Sequence, residues 1–376
     1  MIEISKIINV DFDNSPYSIH IKRNIIKDLP LLLKEKTNNK KVIVIADSYF
    51  ESFCSEHLSS NFSEYGFDII FHYMDAGKNN KNIQEVLRIY AVLEENDFSR
   101  DSTLIALGGG VIGDLAGFVA STWYRGMNLV HIPTTLMAMV DSSVGGKVAI
   151  NFRKTINGIG NYYHPILTLM DLEFIDSLSN RDYNSGLAEV IKCAIISDKK
   201  FFNYLKQNTQ KILKREQKTL LDLVSRTIEI KIEHVLGDVK EGNKRLLLNY
   251  GHTLGHAIEI STEKNHLERY RHGEGVSIGI MAVCYIAHKY YNCSKIVIEE
   301  CEKLLKAFNL PTFVDSKSIG FEKEKLLKQC LRNVMKDKKR INHKLRIILV
   351  NEIGQASINA NVPFEQVEEA FKYIIQ

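Results

Sequence analysis

No Cys-x-x-Cys pair occurs in the chain, although cysteines stand at 54, 193, 284, 293, 301 and 330. That spacing supports neither a zinc ribbon nor a thioredoxin-type redox motif. A disulfide framework is not expected in 376 residues whose first segment, Met-Ile-Glu-Ile-Ser-Lys, has no apolar secretory core. A strong charge of either sign is missing too, since 49 Lys and Arg against 45 Asp and Glu leave a formal +4. So weak a balance points to neither nucleic acid nor an anionic membrane as partner. The most apolar stretch, Gly275 to Ala287, is too short to span a bilayer. There is no internal repeat and no low-complexity segment. These absences predict a cytoplasmic globular protein with reduced thiols, long enough for two domains.

Short apolar runs alternating with helical patterns fill the first half. Lys41-Val-Ile-Val-Ile-Ala46, Asp68-Ile-Ile-Phe-His-Tyr73, Ser102-Thr-Leu-Ile-Ala-Leu107 and Asn128-Leu-Val-His-Ile132 read as strands. Asn82 to Glu95 reads as an amphipathic helix. Unbroken apolar strands separated by helices predict a parallel sheet covered on both faces. From about Arg181 the apolar spacing becomes helical, as over Ile212–Leu236 and Ile298–Phe308, and only Lys344 to Val350 looks strand-like. The expectation is an α/β fold: a Rossmann-like nucleotide-binding domain over 1–178 and a mainly helical domain over 179–376.

Leu107 is followed by Gly108-Gly-Gly-Val-Ile-Gly-Asp114, which contains G-x-G-x-x-G. Such glycines let the backbone approach a pyrophosphate at a helix N-terminus. They also write an ordinary tight strand–helix turn. The loop comes late in the chain, and no acidic residue is obvious about twenty positions on. The loop is a dinucleotide site of a non-standard kind, or not one at all.

Asn249-Tyr-Gly-His252-Thr-Leu-Gly-His256 puts two histidines at i and i+4, on one helical face. His272-Gly-Glu274 follows, and Gly186-Leu-Ala-Glu189-Val-Ile-Lys192 lies upstream. A carboxylate on so apolar a segment needs a partner. One Glu and two His form a common ligand set for a catalytic zinc with an open position. Spacing alone leaves open which two of the three histidines bind. Asp141-Ser-Ser-Val-Gly-Gly-Lys147, after Thr134-Thr135, offers glycines and a lysine to an oxyanion but lacks the P-loop ending. Arg245 could present a fork to a carboxylate or phosphate. Read alone, Lys231 and Arg245 fit a solvated helix face better than a site, and Lys338 and Lys339 do so more strongly still.

Taken together and in this order, these segments resemble the 3-dehydroquinate synthase family, within the sugar phosphate cyclases. The resemblance runs from about Gly77 to Lys339. It implies NAD and a divalent metal, usually zinc with cobalt as an alternative, as cofactors. Glu189, His252 and His272 would bind the metal, leaving His256 as a catalytic, substrate-binding residue. Lys147, Asn157, Lys192, Lys231, Arg245 and Asn249 would line the substrate pocket, with Asp141 between nicotinamide and substrate hydroxyls. Arg125 would reach across a homodimer interface, and one of Lys338 and Lys339 would close over a phosphate. NAD would rest on Gly109, Gly110, Val111, Ile112, Gly113 and Asp114 with Thr134 and Thr135 nearby. Gly77, Lys81, Ile156, Phe174 and Ser177 complete the cofactor side, which Asp141 and Lys147 also touch.

The implied substrate is 3-deoxy-D-arabino-heptulosonate 7-phosphate. Transient oxidation, phosphate loss, reduction and an aldol closure would give 3-dehydroquinate. Other sugar phosphate cyclases, a metal-dependent polyol dehydrogenase and a non-catalytic paralogue are the rival expectations. Two departures stand on the cofactor side. Lys78 replaces the acid of the family's Gly-Glu-x-x-Lys, and Ile156 replaces the lysine of its Lys-Asn step. They predict weakened NAD binding.

Overall fold

A computed structural model describes residues 4–75, 77–153, 155–264, 268–336, 340–341 and 344–376. Lys338 and Lys339 lie outside the described residues. The chain divides into two compact units. One takes Met1–Leu178 with Leu220–Ile228 and Val235–Lys240; the other takes Ser179–Thr219, Glu229–His234 and Glu241–Gln376. A single boundary between 178 and 179 therefore leaves out Leu220–Ile228, within helix Gln217–Val235, and the turn segment Val235–Lys240, which belong to the first unit.

Among the described residues the first unit holds nine strands: β1 (Ser5–Phe12), β2 (Ser15–Lys22), β3 (Lys41–Asp47), β4 (Asp68–Met74), β5 (Thr103–Gly108), β6 (Asn128–Pro133), β7 (Lys147–Phe152), β8 (Thr155–Tyr162) and β9 (Leu167–Asp171). Seven form one sheet in the order β1-β2-β9-β6-β5-β3-β4. All its pairings are parallel except the β1–β2 hairpin at the edge. The parallel core follows from the apolar runs. Val42 to Ala46 in β3 and Leu104 to Leu107 in β5 are buried on both faces. Each fully buried Ile or Leu contributes about 2 kcal/mol of transfer free energy.

Helix Ile83–Glu95 is capped by Asn82, whose side chain accepts from Glu85 N at 3.0 Å. Its Val86, Ile89 and Leu93 pack with Leu115 and Val119 of helix Gly110–Thr122 against the sheet. β7 and β8 form a separate antiparallel ribbon. β7 packs on helix Gly110–Thr122 where Gly117 leaves room; a Cβ there would lie 2.4 Å from Val148 Cγ1.

The second unit is mainly helical, as expected. It also carries a three-stranded antiparallel sheet of β10 (Arg340–Ile341), β11 (Lys344–Glu352) and β12 (Gln355–Val362). β12 was not expected, because its small and polar residues show little apolar alternation. The helical pattern expected from Ile212 to Leu236 breaks at Arg215, whose φ of 57° ends helix Thr209–Leu213 before helix Gln217–Val235 begins. No described helix is long and apolar enough to cross a membrane.

Candidate metal centre and nucleotide loop

Helix Asn180–Ser197 starts at Ser179, whose Oγ accepts from Asp182 N at 3.1 Å. Its apolar face is buried, and with it Glu189 and Lys192. The two form an ion pair within one helical turn. This meets the need for a partner that the sequence raised, but incompletely. Both Glu189 carboxylate oxygens are buried without a well-formed hydrogen bond.

Helix His272–Tyr290 is fastened to that helix at its first turn. Gly273 N donates to Ser185 Oγ at 3.0 Å, and a Cβ on Gly273 would fall 1.8 Å from Ser185 O. Glu274 accepts from Arg271 N at 2.8 Å and takes a two-pronged contact from Arg181, Nε and Nη2 each at 2.7 Å. In His272-Gly-Glu274, then, the glycine permits contact and the glutamate clamps. Helix His252–Thr262 approaches the same helix through glycines: a Cβ on Gly255 would lie 2.6 Å from Gly275 O.

These contacts converge three imidazoles and a carboxylate. Glu189 Oε1 lies 3.4 Å from His252 Nε2 and 3.5 Å from His272 Nε2. His252, His256 and His272 each offer a ring nitrogen, all within 4.8 Å of one another. The Nδ1 atoms tell two of them apart. His252 Nδ1 faces Tyr250 O at 3.1 Å, and His272 Nδ1 faces Glu259 Oε1 at 3.2 Å. Donation from Nδ1 leaves the Nε2 lone pair for a metal, the usual arrangement of ligating histidines. The buried, poorly bonded Glu189 oxygens beside two such lone pairs fit a divalent cation.

Charge in the cluster agrees. Burial holds the His252 imidazole well below its ordinary range, outweighing the pull of Glu189, and so keeps it neutral. Burial alone would raise Glu189, but Lys192 and the histidines hold it far below the usual carboxylate range. Burial would also lower His272, yet Glu259 and Glu189 push it up to about 10. A cation at this point would replace that proton.

The remaining candidates of this unit lie as follows. Lys231 and Arg245 are buried, so neither is a solvated surface cation. Asn249 is half-buried and its Nδ2 donates to Glu241.

In the first unit the glycine-rich loop joins β5 to helix Gly110–Thr122. Thr134 N donates to Gly108 O at 3.0 Å, and Thr135 Oγ1 accepts from Ala138 N at 3.1 Å. Thr135 Cγ2 would lie 3.3 Å from a Cβ on Gly109, and Ser142 Oγ 3.1 Å from one on Gly110. Thr134, Thr135 and the turn carrying Asp141 (Ala138–Ser142) therefore flank Gly109–Gly113. Lys81 is buried, and its Nζ donates to Asn157 Oδ1 at 2.6 Å and pairs with Asp114 Oδ2 at 2.5 Å. Asn151 Nδ2 donates to Lys78 O at 3.0 Å, tying the Gly77–Lys81 loop to the β7–β8 ribbon. Three residues far apart in sequence, Lys81, Asp114 and Asn157, so form one polar cluster.

Lys147 opens β7 and is exposed, as are Lys78 and Ile156. Phe174 stacks edge-on with Phe50 and Phe53, and with Ser177 lines a cavity of about 920 Å³ that no other expected cofactor residue lines. Arg125 is exposed in a left-handed turn.

Residues 71–185 match the family described as 3-dehydroquinate synthase N-terminal, and residues 186–340 match 3-dehydroquinate synthase C-terminal. The chain belongs to the 3-dehydroquinate synthase family. A 3-dehydroquinate synthase of Thermodesulfovibrio yellowstonii is 36% identical over 366 residues, covering 96% of this chain and 98% of that one. The fold is that of 2-deoxy-scyllo-inosose synthase, solved with carbaglucose-6-phosphate, NAD+ and Co2+ (TM-score 0.87, 19% identity, 98% of this chain and 100% of that one). It is also that of 2-epi-5-epi-valiolone synthase of Streptomyces hygroscopicus, solved with NAD+ and Zn2+ (TM-score 0.83, 23% identity, 95% and 96%).

Sequence reasoning gave Glu259 no role in this member of the 3-dehydroquinate synthase family. Its position, seven residues after His252 and three after His256, places it on the histidine face of the helix. Removing a carboxylate that orients a ligating imidazole costs roughly 10- to 100-fold in metal affinity. Glu259→Ala is accordingly expected to weaken zinc by about that factor, read by competition against a chromogenic chelator. Unchanged affinity would show that Glu259 does not orient the His272 ring.

Proposed function

We propose that this chain converts 3-deoxy-D-arabino-heptulosonate 7-phosphate to 3-dehydroquinate and phosphate, a phosphorus–oxygen lyase step of aromatic amino acid biosynthesis. The observation that supports this most directly is the approach of Glu189 Oε1 to two Nε2 atoms, in a chain of this family. Glu189, His252 and His272 are the ligands of a zinc or cobalt ion in this reading, and His256 is left for the substrate. Bound there, NAD would supply reversible hydride transfer and the metal would supply polarisation of a substrate hydroxyl.

The protein's own groups bind and orient. Lys192, Lys231, Arg245, Lys147 and the Lys338–Lys339 pair supply positive charge for a phosphate dianion and a carboxylate. Lys192 already faces a buried carboxylate, so its ammonium is held in place before substrate arrives. Asn249, Asn157 and His256 offer hydrogen bonds to hydroxyls. The backbone amides after β5 receive the NAD pyrophosphate, with Thr134, Thr135 and Asp141 beside them. Lys81 braces Asp114 and Asn157 through the contacts already described. Phe174 and Ser177 belong to the same cofactor side in this reading, and the enzyme works as a cytoplasmic homodimer.

Incubation with the heptulosonate phosphate, NAD and zinc tests the reading, with phosphate and dehydroquinate followed together. Equal yields of both without lasting NADH are expected. Steady accumulation of NADH would mark a polyol dehydrogenase instead. Lys78 and Ile156 are exposed and bring no carboxylate and no ammonium, respectively, to the cofactor. NAD titrated in the presence of metal is expected to bind no tighter than micromolar, and a submicromolar Kd would remove that expectation.

A further inference from the structure

Residue 151 drops out of the β7–β8 ladder. Ile150 pairs with Ile159 and Phe152 with Thr155, so Asn151 alone stands against Ile156, Asn157 and Gly158. Three residues against one form a bulge, which re-aims side chains and backbone groups out of the sheet. The extra chain curls tightly at Gly158, where a Cβ would lie 2.8 Å from Thr155 Cγ2. Asn157 takes a left-handed backbone within it (φ 50°), a conformation in which asparagine is enriched.

Released from the ladder, Asn151 bonds in three directions. Its backbone N donates to Lys81 O at 2.8 Å, its Nδ2 donates to Lys78 O at 3.0 Å, and its Oδ1 accepts from Asn157 N at 3.0 Å. The partners fix which way the amide points, because a carbonyl can only accept and a backbone N–H can only donate. Lys81 Nζ in turn donates to Asn157 Oδ1 at 2.6 Å. Asn151, Lys81 and Asn157 therefore close a ring of hydrogen bonds, in which each bond strengthens the next. Asp114, in the first turns of helix Gly110–Thr122, joins the ring through Lys81.

We propose that Asn151 is a positioning residue whose two side-chain arms orient the two halves of the site. The Nδ2 arm holds the cofactor-side loop Gly77–Lys81 by its backbone at Lys78. The Oδ1 arm holds the left-handed turn at Asn157, on the substrate side. The proposal rests on the NAD and substrate reading above and adds to it a group that touches neither ligand. All the members of the network lie in the first compact unit, whereas Glu189, His252 and His272 lie in the second. Metal affinity is therefore independent of Asn151.

The test uses the full chain with zinc bound, titrated with NAD by calorimetry and then assayed with the heptulosonate phosphate. Asn151→Ala removes both arms and is expected to weaken NAD about 10-fold and to raise KM for the heptulosonate phosphate at saturating NAD by about the same factor. Asn151→Asp keeps an acceptor for Asn157 N but has no donor for Lys78 O. It is expected to weaken NAD as the alanine variant does while KM stays at the wild-type value. Zinc affinity, read by competition against a chromogenic chelator, should stay unchanged in both variants. A purely structural role would lower Tm without separating NAD affinity from KM between the two substitutions. Wild-type NAD affinity and KM in Asn151→Ala would overturn the inference, as would an aspartate variant that shows no such split or a zinc affinity that falls alongside. A wild type that binds no NAD would instead sink the cofactor reading on which the inference rests.

Discussion

His272→Ala is expected to leave the purified protein without zinc and to end phosphate release. Two consequences of the geometry combine. The variant loses one of the two Nε2 donors beside Glu189 Oε1. It also leaves Glu259 without the imidazole that faces it at 3.2 Å. The second loss matters because Glu259 would then have no ligating ring to orient beside Glu189. A metal at a developing alkoxide supplies several kcal/mol of transition-state stabilisation. At 1.36 kcal/mol per tenfold, about 4 kcal/mol corresponds to roughly a 1000-fold fall in kcat/KM. Metal analysis of the dialysed variant, alongside phosphate release, reads both effects. A variant that keeps stoichiometric zinc shows that His256 takes the third ligand position and that the assignment of His272 is wrong.

Gly279→Ala is expected to damage the same site without touching a candidate ligand. A Cβ at residue 279 would lie 2.0 Å from Gly251 O and 2.8 Å from Gly255 N. Both obstacles are backbone, so no side chain can turn aside. Helix His272–Tyr290 and helix His252–Thr262 must separate, and the imidazoles they carry separate with them. Overpacking typically costs about 1–3 kcal/mol, and a backbone obstacle belongs at the upper end. At about 2–4 °C per kcal/mol, Tm should fall by about 6 °C or more. Zinc affinity should fall at least tenfold, since metal sites tolerate only small ligand displacements. Unchanged Tm and zinc affinity in Gly279→Ala would mean that the helices do not meet at these glycines.

Much of the first unit was legible because its signals are local. Val42 to Ala46 and Leu104 to Leu107 are too apolar to be anything but strands covered on both faces, and they lie side by side in the sheet. Asn82 ahead of an apolar stripe marked a helix start that its side chain does cap. The β1–β2 hairpin was missed although its signal was present. Asp13 and Asn14 both take left-handed backbone, which short polar side chains tolerate in a two-residue turn. β12 was missed for the opposite reason, since it is placed by antiparallel pairing with β11 and only Val362 of its described residues is buried.

The sequence by itself determined the family, through an ordered set of motifs from the glycine loop to His272-Gly-Glu274. It also determined that Glu189, in an apolar segment, would need a partner. Only the tertiary structure decided what surrounds each group. Glu274 proves to be a clamp held by Arg181, and Glu259 the carboxylate behind His272. Lys231 and Arg245 move from a surface reading to burial. Spacing along a chain places groups on a helical face. Which face meets which depends on how closely two backbones approach, and here glycines without a Cβ set that distance.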